Sequence, residues 1–600
     1  MKIVPHYLVL AAGVLTASLL PGPRWGSSPL HSQEAASCPA SAPIVGDLTG
    51  AMAHLRYLAD DAMEGREAGT QGARCAADYI AEVFRTLGLE GAGPGGSYFQ
   101  AFQVRLGSIL EGENRLEAGG VSLRLRENWV PFGFSGSGEI TAPMVYGGPG
   151  VSMPGTEEDR FAHLDLTGKV VVVEGADPHG SRGSSVAGDP HHKASIAAGR
   201  GAAAVLILLQ EGQRLPDPAA EERPAVSIPA VAISHSRAQE LREAAERSAE
   251  ASITATVEPR MVEIRNVAAM IPGSDPTLAR QVVVVGAHFD HLGYGGDGSL
   301  APDAREVHNG ADDNASGTAA LMEVARRLME PGVEPRRSVL FLAFNGEEKG
   351  LWGSAHYVNN PLVPLENTVA MLNMDMVGRL RENTLTVYGT GTAEEMTGVL
   401  ETVNREQAEP FVLATIPDGF GPSDHSSFYG ADIPVLMLFT NTHSEYHRPE
   451  DDWDLINPSG LQRVTAFAAD MTRTLAGTAA TQAVALTFQE GAGNPHGAMA
   501  AAAEEGEGRP SRGYGAYMGT IPDMTPRDFG VRITGVREDS PAEKAGLQGG
   551  DVMVEFGGHD ITDLYAYTYA LREFQPGDEV EVVVLREGER LRFTAVLGER

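Results

Sequence analysis

Cysteine is nearly absent from this chain, which has only Cys38 and Cys75 among its 600 residues. One disulfide is therefore the most that the chain can form within itself. The sequence leaves open whether these two residues pair or remain two small unpaired side chains.

Positive charge is also scarce, because 46 Lys and Arg stand against 80 Asp and Glu and give a formal net charge of -34. Such a chain repels nucleic acid and anionic membranes, so we expect no nucleic-acid partner. The same excess of acid favours solubility and the binding of cationic ligands or metal ions. The hydrophobic content of 42% is ordinary and excludes a wholly disordered or fibrous protein.

The apolar run at the N-terminus, from Tyr7 to Leu20, is shorter than the roughly 20 residues that a membrane-spanning helix needs. Lys2 precedes it, and Pro21, Gly22 and a Ser-rich stretch follow it. This pattern predicts a secretory signal peptide over residues 1–25, an exported protein in the periplasm or secreted, and no stable membrane span after removal. The alternatives are an uncleaved anchor and lipidation of Cys38, which lies too far beyond the apolar run for a lipidation signal.

Several domains are expected, since 600 residues and 63.4 kDa exceed what one hydrophobic core organises. Two amphipathic helix patterns at 48–90 belong to an N-terminal part at 45–130, and short β-rich runs indicate a small domain at 131–258. In that domain His191 and His192 are expected on a solvated turn beside Pro190. Strand-like runs alternate with helical patterns at 262–480, which predicts an α/β domain with a mixed, mostly parallel sheet. A linker at 481–514 and a β-rich domain at 515–600 follow.

Four apolar β-type runs of the α/β domain lead directly into residues that bind metals. The runs at 281–287, 338–344, 368–374 and 433–440 precede, in turn, His288 to His291, Glu347 with Glu348, Asp375, and His443 to His447. Ligands of open α/β sheets bind beyond the carboxyl ends of the strands, so these four tips are expected to converge. A fifth segment, Asn309 to Gly317, places Asp312 and Asp313 just before a long helical pattern.

Histidine nitrogen and carboxylate oxygen are ligands that suit Zn²⁺, and one carboxylate shared by two ions can hold them about 3.5–4 Å apart. No cysteine lies near these motifs, which excludes a thiolate-bound structural zinc there. The sequence therefore predicts a metal site of histidines and carboxylates at one edge of the sheet.

Residues 262–480 resemble peptidase family M28, the co-catalytic zinc exopeptidases, and the helices at 48–90 resemble the N-terminal part of that family. The matching segments are AHFDH, NGADDNASG, FNGEEKGLWGS, LNMDMVG, SDHSSF and EYHRPEDD. The resemblance implies an aminopeptidase with two zinc ions per chain, bridged by Asp313. It assigns His288 and Asp375 to one ion and Glu348 and His447 to the other, with Asp312 as the second choice for the bridge.

The same resemblance leaves Glu347 free of metal, beside a ligand, where a general base is needed. Asp290 is expected to orient the His288 imidazole, and Tyr446 to donate a hydrogen bond to the developing oxyanion. Asp424 and His425, in SDHSSF, are candidate substrate-binding residues. His291, His308 and His443 are expected to be supporting or surface residues.

Two accessory modules resemble known domains. The 131–258 segment resembles a protease-associated (PA) domain inserted into the peptidase, and residues 515–600 resemble a PDZ domain. In the latter, a stretch with one glycine is a candidate loop for a peptide carboxylate, and a C-terminal peptide would be its ligand. The residues of this loop are Tyr517, Met518, Gly519 and Thr520.

Three alternatives remain open at the level of the sequence. A carboxypeptidase on this scaffold would need an inward-facing arginine such as Arg379 or Arg448. A glutaminyl cyclase would hold one zinc, and a non-catalytic binding protein would hold none. Peptide or protein substrates are expected for the peptidase, and the number of bound zinc ions separates these classes.

Overall fold

The computed structural model describes most of the chain from residue 37 onward. The described residues are 37–150, 161, 163–176, 188–220, 223, 225–296, 298–301, 304–479, 481–489, 517–522, 530–536, 540–561, 566–567, 570–571, 574, 577–586 and 589–598. The predicted signal peptide at 1–25 lies outside these residues, as does most of the predicted linker. Within them, no helix combines the length and the apolar character that crossing a membrane requires.

The N-terminal part consists of helices and two strands that pack on the main sheet. Its elements are α1 (Ser41–Val45), α2 (Ala51–Leu58), α3 (Gln71–Leu87), β1 (Glu90–Gly91) and β2 (Phe99–Leu110). The Thr70 side chain caps the start of α3, and Gly88, at φ 85°, ends it in the left-handed conformation. The apolar face of α3 packs into the same core as the strands of the α/β domain.

A separate lobe follows, with β3 (Arg115–Ala118), β4 (Val121–Leu123), β5 (Trp129–Pro131), β6 (Gly138–Tyr146), β7 (Val170–Glu174), α4 (Pro190–Gly199), β8 (Ala204–Leu208), β9 (Ala230–Ile233), α5 (His235–Glu246) and β10 (Glu250–Ala255). Its strands form one sheet in the order β4-β3-β10-β6-β7-β8-β9-β5. The lobe therefore begins before residue 131, the start expected from the sequence, because β3, β4 and β5 hydrogen-bond to its later strands.

His191 and His192 correct one expectation, since they lie in the first turn of α4 and not on a solvated turn. His191 is 1% exposed and His192 is 8% exposed. The Asp189 side chain caps this helix by accepting a hydrogen bond from the His192 N–H. Burial lowers the pKa of His192 to about 4. The Pro-His-His sequence is thus a capped helix start whose side chains turn into the lobe.

The α/β domain contains β11 (Val257–Ile271), β12 (Val282–His288), α6 (Gly317–Leu328), β13 (Ser338–Phe344), α7 (Trp352–Asn359), β14 (Thr368–Met374), β15 (Thr384–Tyr388), α8 (Met396–Glu406), β16 (Val412–Ile416), α9 (His425–Tyr429), β17 (Val435–Phe439) and α10 (Pro458–Ala476). The sheet runs β1-β11-β13-β12-β14-β17-β15-β16, and β2 pairs with β11. Strands β13, β12, β14 and β17 are mutually parallel, whereas β11 and β15 are antiparallel to their neighbours. The mixed sheet flanked by helices agrees with the predicted fold class.

Residues 481–489 do not behave as the linker expected from the sequence. Phe488 forms a β-bridge with Ala393, and Thr487 is held by the side chain of Glu395. Phe488 also packs against the core on one face of the sheet. Its single aromatic ring provides the burial that the surrounding Gly-rich composition does not indicate.

The C-terminal region is β-rich, as expected for a PDZ domain. It contains β18 (Thr520–Pro522), β19 (Val531–Val536), α11 (Pro541–Ala545), β20 (Val552–Phe556), β21 (His559–Asp560), β22 (Glu579–Arg586) and β23 (Glu589–Val596). These strands follow the order β18-β19-β20-β22-β23, with β21 paired to β20. Neither Cys38 nor Cys75 is a free thiol, and both are disulfide-bonded.

Candidate metal centre

The expected convergence of strand ends occurs at the carboxyl edge of the parallel strands. His288 is the last residue of β12 and is paired with Phe344 at the end of β13, so the loop that follows β13 brings Glu347 and Glu348 alongside. Asp375 directly follows β14, and His447 lies in the loop after β17. Asp313 lies in a helical turn of π type, Ala311–Ser316, that precedes α6.

Asp313 lies between the two predicted halves of the site. Its Oδ1 is 3.4 Å from His288 Nε2, and its Oδ2 is 3.1 Å from His447 Nε2. His288 Nε2 is also 3.4 Å from Asp375 Oδ1, and His447 Nε2 is 3.2 Å from Glu348 Oε2. The structure thus brings all five predicted ligands together, with the two oxygens of one carboxylate directed to different partners.

These distances fit metal coordination. Tetrahedral bonds of about 2.0–2.1 Å place donor atoms about 3.3 Å apart, close to the separations found here. His288 Nε2 and Asp375 Oδ1 are buried and have no hydrogen-bond partner among the described residues. Unpaired buried polar atoms are costly, and a cation between them removes the cost.

Asp312, the second choice for the bridge, points elsewhere. Its Oδ1 accepts a hydrogen bond from the Gly378 N–H at 2.6 Å, and its Oδ2 lies 3.4 Å from His443 Nε2. The geometry therefore favours Asp313 over Asp312 as the shared ligand.

His291 belongs to the site although the sequence assigned it only a supporting or surface position. Donor atoms of His291, Asp313 and Glu348 lie within 4.8 Å of one another, as do those of His288, Glu347 and Asp375. His291 is fully buried, and its Nδ1 is 2.6 Å from Glu348 Oε1. The only signal in the sequence was its position three residues after His288.

Glu347 is positioned beside the ligands and lines the cavity at the site. Its Oε2 is 3.9 Å from His288 Nε2. Among the chain's own groups, burial raises the pKa of Glu347 well above its usual range, although the neighbouring His288 opposes the effect. A carboxyl with a raised pKa, next to metal ligands, is suited to accept and return a proton.

Asp290 does more than the sequence suggested. Its carboxylate accepts hydrogen bonds from the main-chain N–H groups of Glu347 at 3.1 Å and Glu348 at 3.4 Å. It lies 3.8 Å from His288 Nδ1, which is closer, at 3.3 Å, to the carbonyl oxygen of Asp290. The side chain of Asp290 therefore holds the loop of Glu347 and Glu348 in place beside the His288 imidazole.

Two further side chains support ligands from behind, and the sequence gave no reason to select them. Asp451 Oδ2 accepts hydrogen bonds from the N–H groups of Asp312 and Asp313, at 2.9 and 3.1 Å. The side-chain amide of Asn314 donates to Met374 O and accepts from Met376 N, and so spans Asp375. Both contacts act on the main chain next to a predicted ligand.

The cavity at the site combines acidic ligands with an apolar wall. Its described lining consists of Asp313, Glu347, Glu348, Asp375, Met376, Pro422, Met437, Phe439, Thr442, Tyr446 and His447. The ring of Tyr446 stacks on that of His447, with 3.8 Å between centroids. Tyr446 thus borders the reaction volume, as its expected role requires.

Asp424 and His425 do not reach this cavity. Both side chains are completely buried at the start of α9, and neither is among the lining residues. The structure therefore gives no support to direct substrate binding by either residue.

The predicted carboxylate loop of the C-terminal region is only partly open. Gly519 has a φ of 79°, and Tyr517 exchanges main-chain hydrogen bonds with Gly598. Met518 is buried, and Thr520 Oγ1 is 2.5 Å from the hydroxyl of Tyr567. The Tyr567 contact closes part of the space between β18 and the helical residues that face it.

The fold and this cluster define an α/β protein with a metal centre of histidines and carboxylates at its strand ends. Residues 266–472 match peptidase family M28, residues 140–241 match the PA domain, and residues 516–597 match the PDZ domain. The chain is therefore a member of the M28 peptidases, with a metallopeptidase domain that implies zinc, and it carries PA and PDZ domains in the predicted order.

Similar proteins include leupeptin-inactivating enzyme 1 of Streptomyces exfoliatus, 32% identical over 29% of this chain and 35% of that protein. Aminopeptidase YwaD of Bacillus subtilis is 31% identical over 30% of this chain and 38% of that protein. The chain thus spans little more than a third of these curated relatives. An aminopeptidase of Aneurinibacillus sp. strain AM-1 has a similar solved structure, with a TM-score of 0.45 and 23% identity over 75% of this chain and 98% of that one.

Proposed function

We propose that the chain is an exported aminopeptidase that uses two zinc ions and Glu347 as general base. The observation that carries the proposal is the position of Asp313, whose two oxygens face His288 and His447 from between the two ligand groups. Zinc held by His288, Asp313, Asp375, Glu348 and His447 would polarise the scissile carbonyl and acidify the attacking water.

The chain's own residues supply the proton transfers and the orientation. Glu347 accepts the proton of the attacking water at a carboxylate oxygen and delivers it to the departing amine. Tyr446, at the edge of the same cavity, donates its hydroxyl hydrogen to the oxyanion. Asp290 keeps Glu347 in place by accepting the hydrogen bond from its N–H.

The charge of the cavity supports an aminopeptidase over a carboxypeptidase. No lysine or arginine is among its described lining residues, whereas four carboxylates are. Such a lining attracts the ammonium group of a peptide N-terminus and repels a free carboxylate. Arg379, one of the arginines that a carboxypeptidase would use, is engaged with Glu445 at 2.6 Å and with Leu455 O at 2.6 Å.

The apolar wall supports a preference for an apolar N-terminal side chain. Met376, Pro422, Met437 and Phe439 line the cavity opposite the carboxylates. Burial of such a side chain contributes about 1.5–3 kcal/mol to binding. Peptides with an apolar N-terminal residue are therefore the proposed substrates.

The flanking regions complete the proposal. The N-terminal 1–25 segment would direct export to the periplasm or the outside of the cell, and the PDZ domain would bind the C-terminus of a peptide. For the domain boundaries, we propose a lobe that extends from β3 to β10 and a peptidase domain that also includes residues 48–110 and 481–489.

The test is an assay of the chain from residue 26 on aminoacyl anilides and on peptides with a free C-terminus, with and without chelator. We expect cleavage of the anilides, its loss on chelation, and two zinc ions per chain. Glu347→Gln is expected to lower kcat by about 10²–10⁴-fold while both zinc ions stay bound. Absence of turnover from every anilide, despite two bound zinc ions, would contradict the aminopeptidase, whereas one zinc would favour a cyclase and none a binding protein.

A further inference from the structure

The segment from Asp61 to Glu67 contacts the metal centre although it lies more than 190 residues before the matched peptidase region. It forms a short helical turn, Asp61–Arg66, between α2 and α3. We call the seven residues Asp61–Glu67 the clasp. Its central member is Arg66, whose side chain is 0% exposed.

Arg66 joins two of the loops that carry predicted ligands. Its Nε donates to Phe289 O at 2.7 Å, its Nη1 to Asn309 O at 2.7 Å, and its Nη2 to Gly310 O at 3.0 Å. Phe289 follows His288, and Gly310 precedes Asp313 by three residues. One rigid, planar group therefore sets the spacing between the loops of His288 and Asp313.

Other residues of the clasp add contacts to the same loops and to a third. Asp61 Oδ1 accepts a hydrogen bond from the Asn309 side chain at 2.8 Å. Glu67 Oε1 lies 3.2 Å from Lys349 Nζ, next to Glu348 in the chain. All three ligand-bearing loops thus meet residues of the clasp.

Close main-chain packing fixes the clasp in this position. Gly65 has a φ of 63°, and a Cβ there would lie 2.5 Å from Gly293 O and 2.6 Å from His308 O. The N–H of Gly293 donates to Gly65 O at 3.1 Å. A larger residue at position 65 would separate the clasp from the loop after β12.

The guanidinium also provides fixed positive charge beneath a group of buried acids. Burial lowers the pKa of Arg66 to about 10, and the charges of Asp290, Asp313, Asp451 and Glu348 oppose that effect. Arg66 therefore remains a cation at neutral pH. Its charge partly balances the carboxylates whether or not metal is bound.

We propose that Arg66 is a positioning residue of the metal centre, which fixes the spacing of the His288 and Asp313 loops and thereby sets zinc affinity. The inference rests on the proposed ligand set. It extends the metal centre into the N-terminal part of the chain, which then belongs to the peptidase in function as well as in packing.

The experiment compares Arg66→Lys with Arg337→Lys in the chain from residue 26. Arg337 is a matched control, because it is also buried and donates to main-chain oxygens, those of Leu475 and Val484 at 2.6 Å each. It lies at the opposite end of β13, away from the ligands. Zinc dissociation constants are measured by competition with a chromogenic chelator, together with the Tm of the metal-free protein.

We expect Arg66→Lys to weaken zinc binding by about 10–100-fold at one or both sites. Lysine keeps the charge but cannot bond several carbonyl oxygens with one planar group. With zinc in excess, kcat is expected to fall more than KM rises. Arg337→Lys is expected to lower the Tm without changing zinc affinity.

Unchanged zinc affinity in Arg66→Lys would overturn the proposal, and so would an equal loss of affinity in Arg337→Lys. If Arg66→Lys does not fold, Asp61→Ala replaces it, since Asp61 is exposed and its loss removes only the contact with Asn309. A weaker zinc site in Asp61→Ala supports the proposal, and an unchanged one overturns it. Zinc affinity is measured without turnover, so failure of the proposed aminopeptidase activity is distinguished from failure of this inference.

Discussion

His425 gives the most quantitative prediction, because it is a histidine held neutral by burial alone. Its side chain is 0% exposed, and neither ring nitrogen has a hydrogen-bond partner among the described residues. Burial lowers the pKa of His425 to about 3. The unfolded chain has a histidine pKa of about 6.5.

The sign of the effect follows from these two values. Above about pH 6.5 both states are neutral at this residue and its contribution does not change. As the pH falls from about 6.5 toward 3, the unfolded state binds a proton that the folded state does not, and the folded state loses about 1.4 kcal/mol per pH unit. Between pH 7.5 and pH 5 the loss amounts to about 2 kcal/mol.

The assay is urea unfolding of the metal-free chain at pH 7.5 and at pH 5, followed through the transition of the peptidase domain. We expect His425→Leu to lose about 2 kcal/mol less than the wild type over this pH interval. His235→Leu, at an exposed histidine at the start of α5, is the control and is expected to follow the wild type. Equal pH dependence of His425→Leu and the wild type would refute the reasoning.

Three further changes have defined outcomes. Tyr446→Phe is expected to lower kcat by about 10²–10³-fold with little change in zinc content, as measured by steady-state kinetics and metal analysis, if the hydroxyl serves the oxyanion. Phe439→Ala is expected to lower kcat/KM for leucyl anilide about tenfold relative to alanyl anilide, since it shortens the apolar wall. Gly317→Ala places a Cβ 2.3 Å from Asn314 Oδ1 and from Met374 O and is expected to cost about 1–3 kcal/mol in thermal unfolding, whereas Gly398→Ala, with no neighbour within 4 Å, is expected to cost nothing.

The strand-end rule explains how much of the site was predictable. Each predicted ligand follows a buried strand or precedes a helix, and the parallel pairing of β12, β13 and β14 brings these points together. Asp313 could be chosen over Asp312 only through the family pattern. The structure adds a reason, since Asp312 is occupied by the Gly378 N–H.

Residues that act on main-chain atoms could not be predicted from the sequence. Arg66, Asp290 and Asp451 bind N–H or C=O groups whose identity leaves no trace in the residue type at those positions. Burial of polar residues was equally hidden. His192 and Asp424 have the composition of surface turns, and only the packing of the elements around them encloses them.

The long antiparallel pair of β2 and β11 has a consequence for how this chain can be built. The two strands stay in register up to Leu110 and Val257, which lie opposite each other where the chain enters and leaves the lobe. A two-residue Asn-Gly turn is enough to close such a pair as a hairpin. Residues 111–256 can therefore be exchanged or cut out as a cassette at one point on the rim, with no strand of the peptidase sheet rerouted.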